Sequence, residues 1–268
     1  MPEGDTITRT ARTLDRALAG RRVVRFELPR AASPPGWPAP RTHVLGVEAR
    51  GKHLLIRFED GTVLHSHMGM TGSWHVYRPG ERWRMPATAV RALVEVEGAV
   101  GVCFRAPVVE LLDDAGIRRH RQLAALGPDL CAAVPDLDGA VERLARLVPP
   151  STQIGVALLD QRVAAGIGNV YKSEVLFACR VDPFATVADL GTDARRALFA
   201  TASRMLRANL DGRTPRRTVP EGLAVYRRTG RACRRCGTAV RSRAQGEAAR
   251  TTYWCPTCQP AAAGARAS

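Results

Sequence analysis

The chain has 268 residues, enough to bury one large or two modest cores, and its 45% hydrophobic and 24% charged residues exclude wholesale disorder. Forty basic against 25 acidic residues give a formal net charge of +15, a field that favours polyanions. MPEGDTITRT has no signal pattern and no stretch approaches the roughly 18 apolar residues of a membrane span, so a cytoplasmic protein with no membrane partner is expected.

Along the chain, residues 6–19 (TITRTARTLDRALA) carry Ile7, Leu14 and Leu18 at helical spacing and stop at Gly20, which predicts a helix. The segments 23–28 (VVRFEL), 53–58 (HLLIRF), 62–67 (TVLHSH) and 93–104 (LVEVEGAVGVCF) are short, rich in β-branched residues and partly alternating, so the first 110 residues read as β-rich. Residues 31–41 read as a proline-rich surface loop. DDAGIRRHRQLAALGPDL then reads as a linker, after which the period turns helical in 136–148, 152–166, 169–180 and 192–210. RTPRRTVPEG at 213–222 reads as a mobile connection and the final residues as a disordered tail. The expected division is 1–115, a linker at 116–135, a helical domain at 136–224, a cysteine-bearing module at 225–259 and a tail at 260–268.

Cys233, Cys236, Cys255 and Cys258 form two Cys-x-x-Cys pairs with 18 residues between them. Four thiolates at this spacing can surround one zinc ion tetrahedrally with no open position, so the metal is expected to fold the module and to perform no chemistry. Disulfides are disfavoured in a reducing cytosol, and a redox Cys-x-x-Cys has no use for a second pair. What the module presents is charge: residues 226–259 hold eight arginines and one acid, Glu247, although all but Lys52 and Lys172 of the chain's basic residues are arginine, so part of the excess is a bias of the whole sequence. Cys103, Cys131 and Cys179 lie in apolar or helical surroundings and read as small buried hydrophobes.

Four separated segments, MPEG at the start, RGKHLL at 50–55, LLDQRVAAGIGNVYKSE at 158–174 and RTTYWCPTCQ at 250–259, together resemble the formamidopyrimidine-DNA glycosylase and endonuclease VIII family, in that family's order. The resemblance implies an α+β fold: an N-terminal β-sandwich, a C-terminal helical domain with a helix–two-turn–helix motif and a four-cysteine zinc finger, with DNA in the cleft between the domains. It also implies a bifunctional DNA glycosylase and abasic-site lyase of base excision repair, a monomer associated with the nucleoid, whose partner is DNA carrying oxidised bases or abasic sites.

Site residues carry over from the same motifs. Removal of Met1 exposes Pro2 as a secondary amine, and α-amines titrate at about 7.7–8.0, so a usable fraction is neutral and nucleophilic. The resemblance makes Pro2 the nucleophile at the sugar C1′, forming a Schiff-base intermediate that allows β,δ-elimination. Glu3 becomes the general acid at the ring oxygen, a task for a carboxyl group whose pKa is raised by burial or nearby phosphates. Lys52, Asn169 and Arg250 become phosphate contacts, Asn169 either as a helix N-cap or as an anion-binding turn. Met70, in HSHMGMTGSW, occupies the loop position of the wedge that fills the gap left by the extruded nucleotide. His67 and Trp74 receive no role, and core packing is expected for Trp74. The Asp-Pro-Arg-Arg-Phe-Gly stretch of the oxidised-purine branch is replaced by CFRAPVVELLDD, which points to the endonuclease VIII branch and oxidised pyrimidines, although HMGMTG is closer to the purine branch and Thr6 stands where many members have a second glutamate. The competing classes are a non-catalytic zinc-dependent DNA-binding protein of the same fold and a zinc-ribbon RNA-binding protein.

Overall fold

The computed structural model describes residues 2–29, 42–210 and 222–261; the expected loop at 31–41, nearly all of 213–222 and the tail beyond 261 lie outside the described residues. The chain divides into two compact units, Met1–Ala124 and Ala125–Ser268.

The first unit opens with α1 (Gly4–Leu18) and continues through β1 (Val23–Glu27), β2 (Val44–Arg50), β3 (His53–Phe58), β4 (Thr62–His67), β5 (Ser73–Tyr77), β6 (Val90–Val96), β7 (Ala99–Phe104) and β8 (Val108–Asp113) to the short helices α2 (Asp114–Arg119) and α3 (Arg121–Ala125). The strands form two antiparallel four-stranded sheets, ordered β1-β6-β7-β5 and β2-β3-β4-β8. One core joins them: Leu54, Ile56 and Leu64 from one sheet meet Ala92, Val94 and Cys103 from the other, and Ile7, Ala11, Leu14 and Leu18 of α1 complete it. Those α1 positions lie on one helical face, which is why the helix buries a stripe. The helix can settle on β7 because Gly101 has no side chain; a Cβ there would stand 3.1 Å from Leu18 Cδ1. This is the expected β-sandwich.

Three expectations change. The run 93–104 is two strands, because Glu97 and Gly98 form a two-residue turn in which Gly98 takes φ +82°. The expected linker carries α2, capped by the Asp113 carboxylate on the Gly116 amide, and α3, whose first turn is capped by His120 through the Leu123 amide at 3.2 Å; Ile117, Leu123 and Leu130 are buried, so this stretch is packed structure. The third lies in the second unit, at 152–166.

That unit contains α4 (Leu137–Leu147), α5 (Ile154–Ala157), α6 (Asn169–Ala178), α7 (Thr192–Arg207) and the hairpin β9 (Arg241–Gln245) and β10 (Arg250–Trp254). Residues 152–166 form only the single turn of α5 followed by two turns, because backbone groups there pair with the 127–130 segment: Gly127 N–H donates to Gln161 O, Ala165 N–H to Pro128 O, and Leu130 N–H to Ala165 O. The helical core is built on Leu144, Ile154, Ile167, Tyr171, Leu176, Leu198, Phe199 and Leu206. A smaller cluster of Phe177, Val225, Cys233, Val240 and Cys255 roots the cysteine module on α6. The buried Glu174 carboxylate fastens the same contact by accepting the amides of Ala224, Val225 and Tyr226 at 2.8, 2.9 and 2.8 Å. No described helix is long and apolar enough to cross a membrane.

Candidate nucleic-acid site and metal centre

In the first unit, Pro2 is half-buried ahead of α1, and Glu3 is the residue on which α1 starts, with only 2% of its surface exposed. Lys52 follows Gly51 in the two-residue turn between β2 and β3, and Gly51 supplies φ +57°, which the first central position of a type II′ turn demands.

Behind Lys52 stands a cluster that sequence reading missed. Leu123 N–H donates to His120 Nδ1, which puts that ring's proton on Nε2, 2.9 Å from Glu110 Oε1. His65 Nδ1 donates to the same oxygen at 2.8 Å, so its Nε2 is the acceptor for His53 Nδ1, also at 2.8 Å. His65, Glu110 and His120 converge closely enough to hold a metal ion. A metal on His120 Nε2, however, requires a proton on Nδ1, which would then face the Leu123 N–H; the geometry favours a directional hydrogen-bond network. Burial is the main force that keeps the rings of His53, His65 and His67 neutral. It lowers His53 to about 3, helped by the neighbouring His65, His67, His120 and Lys52; it lowers His65 despite Glu110, and it lowers His67, which also feels the Lys52 charge. His53, His65 and His67 therefore add no charge beside Lys52 near neutral pH.

Met70 is 72% exposed, whereas Met68, two residues earlier, is 3% exposed and part of the core. Glycines set that contrast. Gly69 takes φ +56° against Pro107, and a Cβ on Gly72 would stand 2.8 Å from Ala106 Cα, so the loop closes tightly, with Gly72 N–H on Met68 O at 2.7 Å, and Met70 is left at its tip. Trp74 is buried and donates its indole N–H to Ser66 Oγ at 3.0 Å, as core packing required.

In the second unit, Asn169 is the first residue of α6 and Gly168 is the N-cap, so of the two readings of Asn169 the helix N-cap does not form. Its amide donates to Thr251 O at 2.7 Å, while its Oδ1 is buried without a partner among the described residues. This bond ties the start of α6 to the residue after Arg250, which is exposed at the head of β10. A second link runs beside it: Lys172 Nζ donates to Thr252 Oγ1 at 2.6 Å, Thr252 Oγ1 to Gln245 Oε1 at 2.6 Å, and Gln245 Nε2 to Gln153 Oε1 and Pro183 O. Lys172, Gln245 and Arg250 line one cavity of about 750 Å³. Asn169 and Arg250 thus belong to one platform held by buried polar bonds.

The four cysteines of the module converge, with Sγ–Sγ separations of 3.9 Å for Cys233–Cys258 and 3.5 Å for Cys236–Cys255. Tetrahedral thiolates at about 2.3 Å from a zinc ion stand about 3.8 Å apart, so the set can hold such an ion. Cys103 and Cys131 are buried, Cys179 is half-buried, and burial pushes the Cys103 thiol up to about 12, which leaves it inert.

A family model described as the formamidopyrimidine-DNA glycosylase N-terminal domain matches residues 1–107, and one described as the formamidopyrimidine-DNA glycosylase H2TH domain matches residues 126–218. The chain is 46% identical over 266 residues to a probable endonuclease 8 2 of Streptomyces coelicolor, covering 97% of this chain and 94% of that protein. It is 36% identical to the protein named DNA-(apurinic or apyrimidinic site) lyase Nei2 of Mycolicibacterium smegmatis, covering 97% of this chain and all of that one (100%). Among solved structures, a Lactococcus lactis formamidopyrimidine-DNA glycosylase bound to DNA containing an AP site matches with a TM-score of 0.78 at 21% identity over 97% and 100% of the two chains, which shows a shared fold.

Proposed function

The chain belongs to the formamidopyrimidine-DNA glycosylase and endonuclease VIII family, in its endonuclease VIII branch, and from that premise we propose that it is a bifunctional DNA glycosylase and abasic-site lyase of base excision repair, acting on oxidised pyrimidines and abasic sites. The observation that carries the reading is the buried Glu3 carboxylate directly after a half-buried Pro2. Its burial holds the carboxyl group in place next in the chain to the secondary amine that Met1 removal creates.

The Pro2 nitrogen attacks C1′; the bond from C1′ to the base breaks, and Glu3 protonates the ring oxygen as the sugar opens. The resulting iminium draws electrons from the adjacent sugar carbons. Loss of the C2′ proton expels the 3′ phosphate, and loss of the C4′ proton expels the 5′ phosphate. Lys52, Asn169 and Arg250 grip backbone phosphates of that strand, Asn169 through the second N–H of an amide already anchored on Thr251. Met70 fills the gap in the stack. The protein acts as a monomer, at the nucleoid.

A panel of duplexes and single strands, each carrying an oxidised pyrimidine, an oxidised purine or an abasic site, tests the substrate class. The expected products are gaps bounded by phosphates at abasic sites and oxidised pyrimidines. Folded, Met1-free protein that cuts nothing in the panel is not such an enzyme.

The metal in the cysteine module is one structural zinc ion, which closes the module at the base of the Arg250 hairpin. Cys258→Ala is expected to lose that equivalent of zinc and unfold the module while the first unit keeps its own unfolding transition, since the four ligands are local in sequence. Zinc retained in full by the variant would mean that the ligand set is different.

A further inference from the structure

A second cationic site lies beside the Met70 loop. A cavity of about 460 Å³ is lined by Thr71, Pro86, Thr88, Ala89, Arg91 and Arg105. Two departures from regular backbone bring the arginines there. The register of β6 against β7 shifts between Val90, opposite Phe104, and Ala92, opposite Cys103, so Arg91 is the extra residue of a β-bulge, a device that re-aims a side chain. Arg105 takes φ +52°, an uncommon conformation for a residue other than glycine; it is held by its own N–H on Ala89 O at 2.9 Å and by the Thr71 hydroxyl on its carbonyl at 3.3 Å.

Among the described residues nothing balances the charge of this pocket. Among the described residues no carboxylate lines it, neither arginine takes part in an ion pair, and Arg91 Nε is buried with no acceptor. Two guanidinium groups sharing a cavity repel each other, and a buried N–H without an acceptor carries a desolvation cost. An oxyanion removes both penalties, and the planar donor fork of arginine matches phosphate.

We propose that this pocket binds a phosphate-class oxyanion, and that in the DNA complex the ligand is a backbone phosphodiester next to the step that Met70 enters. The assignment rests on the reading of the chain as a DNA enzyme. It gives the bulge at Arg91 and the strained backbone at Arg105 a purpose: they anchor the distorted duplex at the wedge.

The test is binding of a duplex with a non-cleavable abasic analogue, followed by fluorescence anisotropy from about 50 to 200 mM salt, for the full chain and for Arg91→Gln, Arg91→Lys, Arg105→Gln and Arg250→Ala. One phosphate contact contributes about 0.9 to the slope of log K against log salt, so losing it narrows the affinity ratio across that range by about 3.5-fold. Arg91→Gln and Arg105→Gln are expected to show that loss and Arg91→Lys to recover the slope; Arg105 is exposed, so its variant reports even where Arg91→Gln fails to fold. Parental slopes in both glutamine variants, beside a lowered slope in Arg250→Ala, would overturn the pocket and leave the DNA reading intact. A parent chain that does not bind the duplex would overturn both. Inorganic phosphate at constant ionic strength separates the sources: a rise in Tm that Arg91→Gln abolishes, combined with unchanged DNA slopes, would assign the pocket to free phosphate and overturn its assignment to DNA.

Discussion

Pro2→Gly protein, with Met1 removed, is expected to cut abasic DNA at least about a hundredfold more slowly than the parent while binding the same duplex equally well. Glycine leaves an α-amine at the chain start, so the functional group survives in a weaker form; what changes is its placement. The pyrrolidine ring blocks rotation about its N–Cα bond and so directs the nitrogen lone pair from a half-buried seat, whereas the free amine of glycine rotates about that bond, and misplacing a reacting atom by about 1 Å costs on the order of a hundredfold. Separate measurement of binding and single-turnover cleavage checks this. Equal losses in both would mean that Pro2 supports structure and not chemistry.

The second large effect is expected from Glu3→Gln. The substitution keeps shape and burial but removes the transferable proton, so base removal should fall by about 10²–10⁴-fold, the range a positioned general acid supplies. Cleavage of a preformed abasic site should be far less affected, because its sugar opens without expelling a base. Comparing a lesion duplex with an abasic duplex in the same assay shows the split. A uniform loss on both substrates would move Glu3 from proton donor to scaffold.

Local signals in the sequence were legible and long-range ones were not. The helix closed by Gly20, the strands at 53–58 and 62–67 and the two Cys-x-x-Cys pairs are written in contiguous residues, and they appear where expected. Strands β2, β5 and β8 carry glycine, histidine or charged residues that blur the two-residue alternation, and only their neighbours in the sheets define them. The segment 152–166 has a helical apolar pattern but spends its backbone groups on residues 127–130, a competition that periodicity does not register. Met70 was legible as a loop residue because glycines flank it, and its exposure follows from them.

The polar architecture was the least legible part. His53, His65, Glu110 and His120 come from three strands and a helix boundary, and their proton order is set by one amide, that of Leu123. Lys172 stood out only as one of two lysines; its bond to Thr252 and the Asn169 bond to Thr251 span about eighty residues of sequence. The same holds for Arg91, whose direction depends on a register shift and not on its neighbours in the chain.

One measurement bears most directly on the central claim: borohydride reduction during turnover on abasic DNA, followed by mass spectrometry of the digested adduct. One covalent crosslink per chain is expected, on the nitrogen of residue 2, in protein lacking Met1. Folded, Met1-free protein that forms no adduct, or an adduct mapped to Lys52 or any other side chain, would contradict it.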